Sequence, residues 1–245
     1  MNHIAWSPEH YADGRRAYPP ELAHVIRDEL GLDGTGRLLD VGCGPGSLTT
    51  LLAPLFAAAV GVDADAAMIA FARAQSPQTE WLRLRAEELP AGLGPFRVLT
   101  FAQSFHWMDQ PLVARKGFEL LEPGGAWVHV GGNTHRGDES ALWDGIDRLI
   151  DRYIGSAHRA NTRSGEEDVM RAAGWKGPVR RLVPQGTIER TADEVVSAVF
   201  SLSYATPGLF GSDVRRFEAD LRQLLASHGP IVERMRPVEV VIWRP

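Results

Sequence analysis

The sequence is short of cysteine, of net positive charge and of long apolar runs, and each shortage removes a class of function. Its 245 residues include one cysteine, Cys43, which has no partner for an internal disulfide and no second thiol for a zinc site. Acidic residues outnumber basic ones, 31 against 26, giving a formal net charge of -5, so nothing in the overall charge invites a polyanion such as DNA or RNA. No apolar run approaches the length that crosses a bilayer. The opening "MNHIAWSPEHYADGRR" also lacks a basic segment followed by an apolar stretch, which sets the expectation of a cytoplasmic protein. Repeats and low-complexity segments are missing too. What remains is an ordinary globular composition, 44% hydrophobic and 23% charged, in a chain long enough to bury a sizeable core.

Through residue 132 the hydrophobic pattern alternates between helices and short buried strands. "PELAHVIRDEL" spaces Leu22, Val25, Ile26 and Leu30 as one helical face, and "GRLLDVG" follows as a strand. "SLTTLLAPLFA" predicts a helix that Pro54 bends or ends, then come a strand in "AAVGVD" and a helix in "ADAAMIAFARAQ". Strands in "EWLRLRA" and "FRVLTFAQ", a helix in "QPLVARKGFELL", a turn at "EPGG" and a fifth strand in "GAWVHVGG" complete the series. Strands separated by helices predict a doubly wound, mostly parallel α/β sheet. Beyond it the pattern predicts helices over 139–155, 164–174, 191–203 and 212–227, a strand in "PVRRLVPQGTIER" interrupted by Pro184, and an antiparallel closing strand in "VEVVIW". The expectation is one domain over 1–245. Residues 1–30 form a lid segment, 37–132 the ligand-binding core, 133–228 helical insertions and a strand on the acceptor side, and 232–243 the closing strand.

The densest chemistry lies in "LLDVGCGPGSLTTLLA", 38–53. A dinucleotide fingerprint places G-x-G-x-x-G after a strand, its third glycine letting the helix pack closely. Here the glycines are Gly42, Gly44 and Gly46, and Ser47 stands where the third should fall. Asp40 ends the strand just ahead of the turn, where a carboxylate repels a pyrophosphate and suits a cationic ligand. A nicotinamide-dependent oxidoreductase remains the alternative reading of such a turn. Cys43 sits inside it, where a small side chain is what the turn asks for.

Several motifs, in order, resemble those of class I S-adenosylmethionine-dependent methyltransferases. "LLDVGCGPGSLT" is similar to the first motif, "GVDADAAMI" to the second, and "RAEELP" to the segment that reads the adenine edge. "FAQSFHWMD", "LEPGGAWVHV" and the opening "HYADGRRAYPPEL" resemble the small-molecule subgroup that includes trans-aconitate methyltransferases. The resemblance spans residues 8–132 and implies a Rossmann-like methyltransferase sheet with S-adenosylmethionine as cofactor. It implies that Asp63, with neighbours Ala64 and Met68, holds the ribose hydroxyls, that Ala86 and Glu87 meet the adenine, and that Gln103 neighbours the amino acid end. Tyr11, Arg16 and Tyr18 would cover that end, and Asp65 is available to cap the helix after Asp63.

Methyl transfer is an in-line displacement, so an enzyme's main task is to align a nucleophile and exclude water. His106 and His135, both past strand ends on the ligand edge, are candidate bases, and Asn133 and Thr134 candidate orienting groups. Trp6, Tyr11, Tyr18, Phe105, Trp107, Trp143, Tyr204 and Phe210 would favour a flat or apolar acceptor if three of them lined one cavity, whereas Arg136, Arg159 or Arg163 at the mouth would favour a carboxylate. No Pro-Pro-aromatic tetrad of nucleic-acid amino-methylating enzymes and no Pro-Cys pair is present. The expectation is a small-molecule acceptor, no nucleic acid, no membrane and no metal, although His135 and Asp138 stand close together in sequence. A protein that binds the cofactor for a non-methylating reaction such as a cyclisation would keep the same motifs.

Overall fold

Residues with apolar side chains on both sides of a strand need a sheet covered on both faces, and "RLLDV" has that character: Leu38, Leu39 and Val41 are all at most 1% exposed. The computed structural model of the chain describes residues 7–132, 134–138, 141–156 and 165–245. In chain order these form α1 (Pro8–Gly14), α2 (Glu21–Leu30), β1 (Arg37–Val41), α3 (Ser47–Leu52), β2 (Ala58–Asp63), α4 (Ala66–Gln75), β3 (Glu80–Arg83), β4 (Phe96–Ala102), α5 (Gln110–Leu120) and β5 (Leu121–Gly131). There follow α6 (Ala141–Ile154), α7 (Glu166–Ala172), β6 (Lys176–Val183), β7 (Thr187–Arg190), α8 (Ala192–Phe200), α9 (Val214–His228), β8 (Ile231–Arg234) and β9 (Val238–Arg244).

The chain divides into two compact units. The first comprises Tyr18–Gly132, Arg163–Val183 and Pro237–Pro245 and carries a seven-stranded sheet in the order β3-β2-β1-β4-β5-β9-β6. Five strands pair in parallel from β3 to β5. β9 runs antiparallel to both β5 and β6, so it is the single reversed strand. Chain direction across the sheet reverses between β1 and β4, the topological switch point where folds of this kind open a crevice for ligands. Adjacent residues of a strand face opposite layers, so Leu38 joins Leu22, Ile26 and Val240 in one core while Leu39 joins Phe101, Trp127 and Trp243 in the other.

The second unit comprises Met1–Ala17, Asn133–Thr162 and Pro184–Arg236. In α6, Leu142, Trp143, Ile146, Leu149 and Ile150 recur at helical spacing and pack with Val195, Phe200, Phe217 and Leu221. Phe210 and Phe217 stack at 4.0 Å. A capping box, Thr191 with Glu194, starts α8, and β7 pairs antiparallel with β8.

Some elements differ from the sequence expectation. Pro54 does end α3, which closes at Leu52 into a single 3-10 turn over Ala53–Leu55. "EPGG" is not a turn before β5 but an irregularity within it, across which the pairing with β4 shifts from Leu121 to Ala126. The strand expected around Pro184 is two strands in two different sheets. Residues 232–243 likewise divide between β8 and β9, and the segment ahead of α2 contains the short α1.

Candidate active site

The glycine turn leaves β1 at the switch point. The N–H groups of Gly42 and Cys43 both donate to the carbonyl of Val62, at 2.7 and 3.0 Å, which fixes the turn against the end of β2. A Cβ on Gly42 would stand 2.4 Å from that of Ser104, whose hydroxyl donates to the Val41 carbonyl at 2.6 Å. Only glycine allows this approach. Gly44 is different: its φ is +55°, and a Cβ there would meet nothing within 4 Å. The turn therefore leaves open space at its middle glycine. Gly46 precedes the first residue of α3.

Asp63, ending β2, faces this space. Its Oδ2 accepts from the Gly44 N–H at 2.9 Å and its Oδ1 from the Asp65 N–H at 2.8 Å. Burial pushes its carboxyl above the ordinary range, opposed by those two N–H donors. Each oxygen retains a lone pair for a further donor. Asp65 caps α4, accepting from Ala67 and Met68. Beneath the turn lies Asp40, fully buried, accepting from the Thr49 and Thr100 hydroxyls at 2.6 and 2.8 Å.

Beside the turn, at the outgoing ends of β4 and β5, a cavity of about 520 Å³ opens within the same unit. Ser104 contributes to its wall as well as to the turn. Phe101, Phe105 and Trp243 form aromatic sides, and His129 of β5 faces Glu166 of α7 with Nδ1 and Oε2 3.6 Å apart. Gln103, the one non-glycine residue of positive φ among the described residues (+53°), follows β4 and borders the cavity with His106.

A family model described as a methyltransferase domain matches residues 38–125. An uncharacterised methyltransferase of Mycobacterium bovis is 36% identical over 221 residues, covering 89% of this chain and 83% of the relative. The chain belongs to the S-adenosylmethionine-dependent methyltransferases. A trans-aconitate 2-methyltransferase of Deinococcus radiodurans is 29% identical over 178 residues, 70% of this chain and 67% of that one. Among solved structures, a protein from Anaeromyxobacter dehalogenans assigned as a type II methyltransferase superposes with a TM-score of 0.56 at 22% identity, covering 93% of this chain and 94% of that one. The [4+2]-cyclase SpnF shares the fold at a TM-score of 0.50 and 19% identity, covering 94% of this chain and 86% of that one. Family membership thus rests on sequence relatives, and the fold alone hosts more than one chemistry.

Within this methyltransferase, Gly42, Cys43, Gly44, Gly46 and Asp63 come together around the switch point, and Ala64 and Met68 follow at the start of α4. Cys43 is buried, and burial with Asp40 and Asp63 nearby pushes its thiol well above the ordinary value, away from the reactive thiolate. Ala86 packs in the core beneath β4. Glu87 is tied to the entry of α5: its Oε1 accepts from the Asp109 N–H at 2.9 Å, and its Oε2 lies 3.4 Å from Arg85. Tyr18 packs against the α2 side of the sheet.

Tyr11, Arg16, Thr134 and His135 belong to the helical unit. There the Arg15 guanidinium lies 4.0 Å over the Tyr11 ring, and the Arg16 N–H donates to the Thr134 carbonyl at 2.7 Å. Burial and the charges of Arg15, Arg136 and Arg190 hold the His135 imidazole well below its usual pKa, making it a weak proton acceptor. Arg136 pairs with Asp147 at 3.4 Å, and Asp138 with Arg236 at 3.0 Å. Of the eight aromatics expected near a lid, Phe105 borders the cavity, whereas Trp143 and Phe210 fill the helical core. Trp6, Asn133, Arg159 and Arg163 lie outside the described residues. Among the described residues no three His, Cys, Asp or Glu side chains are grouped as metal ligands, and no helix is long and apolar enough to cross a membrane.

Sequence reasoning missed Ser104, His129, Glu166 and Trp243. The available signal was His129, a lone polar residue within the apolar run "AWVHV".

Asp40 gives the turn a pH signature. Burial raises its carboxyl from 3.8 to about 6, against the opposing pull of the two threonine hydroxyls. Between those values the folded chain keeps a proton that the unfolded chain has released. This contribution to stability is therefore complete below 3.8 and is lost as pH rises through 6. The loss amounts to about 3 kcal/mol. Asp40→Asn, neutral throughout, is expected to lack it, so urea midpoints of the two proteins should diverge in the variant's favour between pH 4 and pH 7. Parallel profiles would refute the assignment.

Proposed function

We propose that this methyltransferase transfers the methyl group of S-adenosylmethionine to a small-molecule acceptor by in-line displacement without a metal. The residues fit the donor on two counts. Gly44 leaves room for close approach of an adenosyl group, and Asp63 keeps one lone pair per oxygen for the two ribose hydroxyls. S-adenosylmethionine supplies a methyl carbon already activated by its sulfonium, so no residue need polarise it. In this reading Gln103 meets the amino acid end of the donor and Glu87 its adenine side.

The observation that carries this reading is Ser104, whose side chain both closes the glycine turn and borders the cavity of about 520 Å³. Donor and acceptor spaces are then contiguous, and the volume suits a small molecule. His106, one of the two histidines expected as bases, borders the same cavity. Trans-aconitate, the substrate in the name of a relative, is one acceptor to examine. Calorimetric titration with S-adenosylmethionine and with NADH should show tight binding of the former alone, and mass spectrometry should detect S-adenosylhomocysteine with a methylated product when an acceptor is supplied. Selective binding of NADH would overturn the reading, and cofactor binding without product across an acceptor panel would favour a non-methylating use.

A further inference from the structure

We infer that Trp81 is a positioning residue for the methyl donor, its indole bracing the glycine turn behind Gly46 so that the turn stays where Asp63 meets it. This rests on reading the glycine turn as the donor site. Two glycines make room for the ring. Gly61, inside β2, pairs in register with Trp81 of β3, and a Cβ on it would stand 2.3 Å from Cζ3 of the indole. A Cβ on Gly46 would stand 2.4 Å from Cη2. A glycine inside a strand weakens it and marks the close approach of another group, which here is an indole laid across β2 to the start of α3.

The ring is held from its other edge as well. Its Nε1 donates to the carbonyl of Ser76, the residue that ends α4, at 2.8 Å, and both residues are buried. With Cys43 of the turn and Ile69 and Ala72 of α4, Trp81 forms a small core of its own, apart from the two that cover the faces of the sheet. One indole thus touches both elements that lead away from the donor site. Gly46 opens α3, and α4 follows Asp63, whose carboxylate accepts from the Gly44 N–H at 2.9 Å. Trp81 does not border the cavity beside the turn, so its effect on the donor passes through these neighbours. A matched control lies in the same unit. Trp175 is also buried, its indole N–H donates to the Ala114 carbonyl at 2.9 Å, and it packs on Phe118 and Trp127 away from the turn. A phenyl ring at either position fills less space and drops the N–H bond, which costs stability at both. At position 81 it also stops short of Gly46.

The test titrates S-adenosylmethionine and S-adenosylhomocysteine calorimetrically into the full chain, into Trp81→Phe and into Trp175→Phe, with urea midpoints measured alongside. Both variants are expected to lose stability. Kd for both ligands is expected to rise on the order of tenfold in Trp81→Phe and to stay within about twofold in Trp175→Phe. A second measurement needs no substitution at 81. In proton–nitrogen NMR spectra of the wild type, saturating S-adenosylhomocysteine should move the Trp81 indole cross-peak, through the turn it braces, and leave that of Trp175 in place. Wild-type affinity in a folded Trp81→Phe, an equal loss of affinity in Trp175→Phe, or an unmoved Trp81 cross-peak overturns the inference. A wild type that binds neither ligand overturns the donor reading and this inference with it, and that outcome is visible before any variant is compared.

Discussion

Asp63→Asn is expected to weaken S-adenosylmethionine binding on the order of a hundredfold or more. Both carboxylate oxygens already accept backbone N–H groups, one from Gly44 and one from Asp65. An asparagine has one acceptor and one donor end, so either orientation sets its NH2 against one of those N–H groups. On the proposed role of Asp63 the variant loses charge-assisted bonds to the two ribose hydroxyls, and it also loosens the glycine turn. Charged hydrogen bonds contribute about 1.5–3 kcal/mol each. Two of them correspond to a factor on the order of a hundred or more in Kd. Isothermal titration reads this directly, and an asparagine variant within a fewfold of the wild type would sink the assignment of Asp63 to the ribose.

Glu233→Ala should destabilise the helical unit by about 3–5 kcal/mol. Glu233 and Arg190 form a buried pair at 3.2 Å, their side chains 5% and 4% exposed. Glu233 also accepts from the Gly137 N–H and the Trp143 indole N–H, and Arg190 donates to the carbonyls of Gly14 and His135. Removing the carboxylate strands a guanidinium in the interior and takes an acceptor away from the Gly137 and Trp143 N–H groups. The half-exposed pair of Arg181 with Glu29 provides the contrast. There Glu29→Ala should cost about 1 kcal/mol or less, because solvent screens it. Urea denaturation of the two variants side by side measures the difference. Equal and small losses would show that the buried network does not hold the unit together.

This same pair explains where the sequence was hard to read. β7 and β8 turn Arg190 and Glu233 inward, so strands that alternate normally in space carry a charged residue where the pattern expects an apolar one. A rule that equates inward with apolar does not set these two strands apart, and the sequence reading runs them together with β6 and β9. The parallel strands had no such problem, since β1, β2 and β4 are apolar on both faces and each is followed by a helix of clear spacing. The glycine turn was legible because a close backbone approach demands particular residue types over a few positions, and Asp63 meets it at Gly44. The cavity was not. His129, Glu166 and Trp243 come from elements far apart in sequence, and only the strand order β5-β9-β6 brings them to one wall.

That strand order also has a consequence for how the protein is made. β9 is later in the chain than β6 yet lies between β6 and β5, so on the ribosome the gap between two finished strands must wait for the one that fills it. The strands from β3 to β5 need nothing from β9 for their own pairing. Until β9 is threaded in, the edge of β5 stays unsealed, a strand border able to recruit a neighbouring chain. The Trp243 side of the cavity is thus supplied by a strand that follows every other strand of its sheet in the chain.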